Sequence, residues 1–97
     1  IPRVYVAAFG TQAVGVGFTL LDEFRRTGVP ADMDFRAASL KAHLRQADRL
    51  NALYTILLGD DEVTKGVATL RNMQTKAQED IPISDLATAL RTRLVNR

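Results

Sequence analysis

Hydrophobic and polar residues in this chain switch between the spacing of strands and the spacing of helices, which predicts an alternating α/β order. Residues 4–9 (VYVAAF) form a short apolar run, as expected of a strand that is covered on both faces. In residues 31–35 (ADMDF) apolar and acidic side chains alternate, which predicts a second short strand. The most apolar segment is 53–58 (LYTILL), and we expect it to be the central strand.

Three segments carry apolar residues at the spacing of one helical face. The first helix is expected to follow Gly10, with Thr11 as its cap, and to stop at Gly28. The last helix is expected to have Ser84 as its cap. The predicted inward positions include Val14, Phe18 and Leu21 in the first helix, Leu40, Leu44 and Ala47 in the second, and Leu86, Leu90 and Leu94 in the third.

The segment between the central strand and the last helix reads as a hairpin at the edge of the sheet. Residues 66–71 and 76–81 are two strand-like runs joined by Asn72–Thr75. Two right-handed crossovers before it would make the first three strands parallel, with the first strand between the other two. We therefore predict that residues 1–97 form a single α/β domain, with a mixed sheet of about five strands and three main helices.

Composition narrows the classes of function. The net charge is only +2, so a nucleic-acid contact would depend on locally clustered cations. The absence of cysteine excludes disulfides and thiolate nucleophiles, and a single histidine argues against a structural zinc site. No apolar run approaches the roughly 20 residues of a membrane helix. Because the chain starts with Ile1 rather than Met, we expect it to be a piece of a longer protein.

Possible catalytic and metal sites each have a structural alternative. His43 lacks a Ser or Asp partner at motif spacing, so a structural or solvent-facing role is favoured over a general base. The acids Asp60–Glu62 could bind Mg²⁺, but they also suit a helix N-terminus. The run 10–17 (GTQAVGVG) lacks the Lys-Ser/Thr of a phosphate loop. Gly15 and Gly17 therefore favour close helix–sheet packing.

Binding chemistry is concentrated where the second predicted strand meets its helix. Arg36, Ser39, Lys41, Arg45 and Arg49 surround one helix N-terminus, which also attracts anions. Such cations can engage phosphates, and arginine can stack on unpaired bases. Phe9, Thr11 and Gln12 leave the first strand at the same edge of the sheet. The alternative is that Lys41, Arg45 and Arg49 form only a solvated helix face paired with Asp48.

Two long runs in the chain are similar in sequence to a known protein family. Residues 39–63 (SLKAHLRQADRLNALYTILLGDDEV) and 66–82 (GVATLRNMQTKAQEDIP) resemble the C-terminal anticodon-binding domain of histidyl-tRNA synthetases. The matching blocks, among them Ser-Leu-Lys, Ala-Asp-Arg and Gln-Glu before Pro, occur in the same order and cover essentially the whole chain. Asn51 departs from the glycine usual at that turn, but asparagine tolerates left-handed backbone angles.

The resemblance implies a function that spacing alone did not show. The parent protein would be a cytoplasmic, homodimeric class II synthetase that uses ATP and Mg²⁺, with its own catalytic domain preceding this segment. This domain itself would be non-catalytic, would need no cofactor or membrane, and would hold the anticodon stem-loop of histidine tRNA. The resemblance points to the following residues as RNA contacts: Phe9, Thr11, Gln12, Arg36, Ser39, Lys41 and Arg45.

Two other functions remain open at this point. A synthetase-like module that binds RNA or protein in a regulatory protein would show the same sequence blocks without an upstream catalytic core. A small nucleotide-binding or receiver-like α/β domain would instead bind its ligand at residues 10–17 or a metal at Asp60–Glu62.

Overall fold

A mixed five-stranded sheet with helices on both faces is seen in a computed structural model, which describes residues 3–34, 36 and 39–95. The elements in chain order are β1 (Val4–Phe9), α1 (Thr11–Arg26), β2 (Ala31–Met33), α2 (Leu40–Arg49), β3 (Tyr54–Gly59), α3 (Asp60–Lys65), β4 (Val67–Asn72), β5 (Gln78–Pro82), a 3₁₀ turn (Ile83–Asp85) and α4 (Leu86–Val95). The predicted fold class is confirmed, and α3 is a short helix beyond the three that were predicted.

The strand order is β2-β1-β3-β4-β5, which places β3 at the centre as predicted. β1 pairs in parallel with both β2 and β3, whereas β4 and β5 form an antiparallel hairpin at the edge. The second strand is shorter than its sequence pattern suggested, because pairing with β1 ends at Met33. Phe35, which was included in the predicted strand, lies outside the described residues.

Alternate residues of β1 enter two separate apolar clusters, one on each face of the sheet. Val4, Val6 and Ala8 pack with α1 and α4, and Tyr5 and Ala7 pack on the face that α2 covers. Residues 4–8 are all buried, which explains why β1 is apolar along its whole length instead of alternating. Consequently α1 and α2 begin at the same edge of the sheet but on opposite faces.

The cap of α1 comes from a distant part of the chain rather than from Thr11. The backbone N–H of Ala13 donates to Oδ1 of Asp60 at 2.9 Å, and Thr11 makes no side-chain cap. Gly10 has φ +101°, and a Cβ there would lie 2.5 Å from Oδ2 of Asp60. Glycine at this position therefore allows both the turn and the close approach of the carboxylate.

The packing role predicted for the helical glycines holds for Gly17 but not for Gly15. A Cβ at Gly17 would lie 3.1 Å from Cε of Met33 and 3.4 Å from Cγ1 of Val6, so α1 packs tightly on the sheet here. Nothing lies within 4 Å of a Cβ at Gly15. The buried stripe is also rotated from the predicted one, because Phe18 is 47% exposed while Ala13 and Gly17 are buried.

Helices α2 and α4 also differ from prediction at their first turns. Leu40 was expected to face inward but is 48% exposed, and the first buried residue of α2 is His43. Ser84 lies within the 3₁₀ turn and provides no side-chain cap for α4. Leu86 and Leu90 are buried as expected. The left-handed turn predicted at Asn51 is confirmed by its φ of 58°.

We predict that Asp60→Ala lowers the free energy of unfolding by about 1–2 kcal/mol, as loss of a helix cap does. Asp61→Ala is the matched control, because it removes the same charge from the first turn of α3 without uncapping α1. Urea unfolding of both variants measures the difference. Equal destabilisation by the two substitutions would show that the contact between Asp60 and Ala13 contributes nothing.

Candidate nucleic-acid interface

The carboxyl ends of β1, β2 and β3 lie at one edge of the sheet, where open α/β sheets usually bind ligands. Here the crevice between β1 and β3 contains the Asp60 carboxylate, which already accepts the N–H of Ala13. Residues 11–17 are helical and form no loop around a phosphate. This geometry argues against the nucleotide-binding alternative.

The β2–α2 corner carries a groove of about 380 Å³ at the same edge. Three of the residues that line it are arginines, which reach it from both sides of the corner. Its lining consists of Asp34, Arg36, Ala42, Arg45, Gln46 and Arg49. The lining residues on α2 are related by steps of three or four positions, from Ala42 to Arg45 and Gln46 and from these to Arg49, so they form one helical face. Three guanidinium groups at one groove can recognise phosphates and the faces or edges of unpaired bases.

One of these arginines is held by an acid of the groove itself. The Nε of Arg36 donates to Oδ1 of Asp34 at 3.1 Å, and the backbone N–H of Arg36 donates to the same oxygen at 2.9 Å. These bonds from Arg36 lower the pKa of the Asp34 carboxyl below its ordinary value of 3.8. The pair therefore keeps Asp34 ionised and fixes Arg36 at the mouth of the groove.

The cations of α2 have no acidic partner within the described part of the chain. No described residue forms an ion pair with Lys41, Arg45 or Arg49, all three of which are exposed. The predicted pairing of these cations with Asp48 is therefore wrong, whereas the exposure of all three fits the solvated helix face of that alternative. Arg49 donates to the neutral Oε1 of Gln46 at 3.3 Å, which leaves its charge uncompensated.

The first turn of α2 completes the corner. The Oγ of Ser39 accepts the backbone N–H of Ala42 at 3.0 Å, so this hydroxyl is the N-cap of the helix. Lys41 lies on the same exposed stripe as Arg45 but does not line the groove. Of the sequence-predicted contacts, the structure brings Arg36 and Arg45 into one groove and places Ser39 and Lys41 beside it.

The residues that leave β1 divide between the two faces of the sheet. Phe9 is half-buried on the α2 side, where its ring meets that of His43 edge to face at 4.9 Å between centroids. Thr11 and Gln12 are exposed in the first turn of α1. Phe9 thus adjoins the β2–α2 corner. Thr11 and Gln12 lie at the same edge of the sheet as that corner, but on α1, which covers the opposite face.

His43 is a buried structural residue, so of the structural and solvent-facing roles that the sequence left open, the structural one applies. Its side chain is 1% exposed, and Nδ1 lies 2.8 Å from the hydroxyl of Tyr5. Burial, with the nearby charge of Asp34, raises the pKa of Tyr5 from 10.0 to about 12. The phenol therefore stays protonated at neutral pH and shares a hydrogen bond with Nδ1 of His43.

The acids after β3 have structural roles in the described part of the chain. Oε1 of Glu62 accepts the N–H of Gly59 at 2.9 Å, and Asp60 caps α1. No group of three potential metal ligands occurs among the described residues. In the same residues, no helix has both the length and the apolar character to cross a bilayer.

The sequence interpretation missed a second polar surface, on the hairpin. Arg71 of β4 points to the face opposite the buried Leu70, and its Nη1 donates to Oε1 of Gln78 at 2.9 Å. Thr69 donates to Asp80 at 3.1 Å on the same face. Among the described helices, only α2 adds apolar residues to this side of the sheet. Buried and half-buried side chains alternate along most of β4, and β5 lies at the end of the strand order. Together these two features could have indicated the polar face of the hairpin from the sequence.

Comparison with known proteins identifies the relatives of this chain. Residues 3–93 match the family model described as an anticodon binding domain. A histidine–tRNA ligase of Desulfatibacillum aliphaticivorans is 41% identical over 85 residues, which are 88% of this chain and 20% of that protein. The chain thus spans about a fifth of the length of the curated relatives it matches.

Solved structures show the same likeness. The apo histidyl-tRNA synthetase of S. aureus superposes with a TM-score of 0.86 at 32% identity, covering 91% of this chain and 26% of that one. The RNA-binding domain of threonyl-tRNA synthetase from Cryptosporidium parvum Iowa II superposes at 0.82 with 22% identity, covering 94% of this chain and 23% of that one. This second likeness shows the fold alone.

We predict that Arg36→Ala raises the pKa of Asp34 towards 3.8, because the substitution removes the side-chain bond that lowers it. Since the folded-state pKa is the lower one, the pair stabilises the fold above pH 3.8 and this stabilisation is lost as the pH falls. An NMR titration of the Asp34 carboxyl carbon measures the shift. Arg26→Ala is the control, because it breaks the remote pair with Asp22. An unchanged titration in Arg36→Ala would contradict the assignment.

Proposed function

Because the chain belongs to the anticodon-binding domain family, we propose that it binds the anticodon stem-loop of histidine tRNA for a histidine–tRNA ligase. The family match covers residues 3–93, and the relatives of 36–41% identity are named histidine–tRNA ligases, which supports this specificity. The alternative of a module in a regulatory protein is not favoured by these relatives. We propose that the domain itself acts as a binding module, because the family model that it matches describes an anticodon binding domain.

The arginine groove at the β2–α2 corner is the observation that carries this proposal. Arg45 and Arg49 are exposed and not neutralised, and Arg36 is held at the mouth of the groove by Asp34. Phosphates of a stem-loop would supply the missing negative charge, while unpaired anticodon bases offer faces and edges to arginine and to Phe9. The proposed contacts are Phe9, Thr11, Gln12, Arg36, Ser39, Lys41 and Arg45.

The hairpin face is a second surface that the RNA could reach. Arg71 is half-buried and is held by Gln78, so its guanidinium is already ordered before any ligand arrives. An ordered arginine on a helix-free part of a sheet suits recognition of a splayed base. We include Arg71 as the alternative position for base recognition.

The properties of the whole protein are part of the same proposal. The relatives are about five times longer than the matched segment, which leaves room for a catalytic domain in a parent chain. The parent would then be an ATP-dependent ligase that uses Mg²⁺ and acts in the cytoplasm as a homodimer. In that protein this domain would position the tRNA and would bind neither ATP nor the metal.

We expect the 97-residue chain to bind a histidine stem-loop with anticodon GUG more tightly than the same loop with the anticodon rearranged to GGU. Affinity for both RNAs should fall as salt rises, because phosphate contacts release counterions. Fluorescence anisotropy at two salt concentrations measures both effects. Equal affinity for the two loops would leave only phosphate attraction and would refute anticodon recognition by this domain.

We predict that Arg45→Ala weakens binding of the GUG stem-loop by about 1–3 kcal/mol if Arg45 contacts a base. Its stability should not change, because the side chain is exposed and forms no ion pair with a described residue. Arg26→Ala is the matched control, since it removes an exposed arginine from α1. An affinity equal to that of Arg26→Ala would remove Arg45 from the site. Measuring Arg71→Ala in parallel compares the contribution of the hairpin face to RNA affinity with that of the groove.

A further inference from the structure

We propose that His43 is a positioning residue that aligns Phe9 with the arginine groove and thereby sets anticodon selectivity. This inference rests on the proposed function, which assigns both Phe9 and the groove to RNA recognition. His43 itself is 1% exposed, so it would act through the residues it touches rather than by contacting RNA.

Helix α2 is anchored to the sheet at His43 rather than by its first turn. Leu40 and Lys41 are exposed and Ala42 is only half-buried, so the first turn of α2 has no fully buried side chain. His43 is the first residue of α2 that is buried, and it comes directly after Ala42 of the groove lining. The position of this end of the helix against the sheet therefore depends on what His43 contacts.

His43 contacts β1 at two places. Its Nδ1 forms a hydrogen bond of 2.8 Å with the hydroxyl of Tyr5 within the buried interior. Its ring packs edge to face on Phe9 at 4.9 Å between centroids, with an interplanar angle of 79°. Tyr5 and Phe9 are four residues apart on one strand and face the same side of the sheet. One imidazole therefore fixes both the position of α2 along β1 and the orientation of the Phe9 ring.

The chemistry of the pair makes this contact specific. A buried phenol needs an acceptor, and a buried imidazole nitrogen needs a donor, so the two groups satisfy each other only in one alignment of α2 and β1. An apolar side chain at position 43 would remove the imidazole partner of the Tyr5 hydroxyl and would permit α2 to slide along β1. Glutamine can present an oxygen to Tyr5, so His43→Gln is the conservative variant.

The consequence for binding follows from the separate roles of phosphate and base contacts. Phosphate contacts come from exposed cations that remain after His43 is changed, whereas base contacts require Phe9 and the arginines to be correctly aligned. Loss of His43 should therefore reduce discrimination between anticodons more than it reduces salt-dependent affinity for RNA.

The test compares binding of the GUG and GGU stem-loops by the 97-residue chain and four variants. We expect His43→Ala to lower the preference for GUG about fivefold or more, with a similar salt dependence. His43→Gln keeps an oxygen for Tyr5 but lacks the ring that packs on Phe9, so it should lower the preference by a smaller factor than His43→Ala does. Tyr5→Phe, which removes a single hydroxyl and keeps the ring, should lower the preference by an intermediate factor. Leu90→Ala is the stability control, because it opens a cavity on the opposite face of the sheet.

Leu90→Ala should lower Tm and leave the GUG preference unchanged. An NMR spectrum adds a direct readout, since the Phe9 ring protons should shift in His43→Ala and Tyr5→Phe but not in Leu90→Ala. If His43→Ala and Tyr5→Phe both retain the full GUG preference, the positioning role is overturned and the proposed function stands. If Leu90→Ala loses the GUG preference to the same extent, the positioning role is also overturned, because reduced stability alone would then explain the loss. If wild type shows no preference, the proposed function fails and this inference fails with it.

Discussion

The burial of β1 on both faces is the constraint on which the rest of the structure depends. Each of its residues from Val4 to Ala8 is buried, and β2 and β3 pair with it on either side. A strand in this position forces the helices that follow β1 and β2 onto opposite faces of the sheet. It also aligns three carboxyl ends at one edge. The candidate site lies at that edge because of this arrangement.

The same arrangement explains why the edge presents a surface instead of a deep pocket. Where a doubly wound sheet commonly admits a phosphate group, the Asp60 carboxylate joins the start of α1 to the end of β3. The candidate site lies instead at the outer corner formed by β2 and α2. A shallow, cationic corner suits an extended polyanion better than a small enclosed ligand.

Local patterns in the sequence predicted most of the fold, because strand order follows from periodicity and crossover handedness. They failed where a side chain is satisfied by a distant partner. The cap of α1 is Asp60, 47 residues beyond the N–H that it accepts, so Thr11 was the reasonable local choice. His43 is buried because Tyr5, 38 residues earlier, bonds to it, and a helical pattern of apolar residues cannot contain that information. The RNA contacts themselves remain predictions from the resemblance.

Among the residues that the structure describes, the cations of α2 lack acidic partners, and this has a kinetic consequence. Charges that a protein does not neutralise itself extend their field into solvent and raise the rate at which a polyanion arrives. Because Lys41, Arg45 and Arg49 are spaced along one exposed stripe, that field is directed outward from a single corner instead of being spread over the domain. Encounter with RNA would therefore be fast and oriented, and the lifetime of the complex would then depend on whether the bases fit.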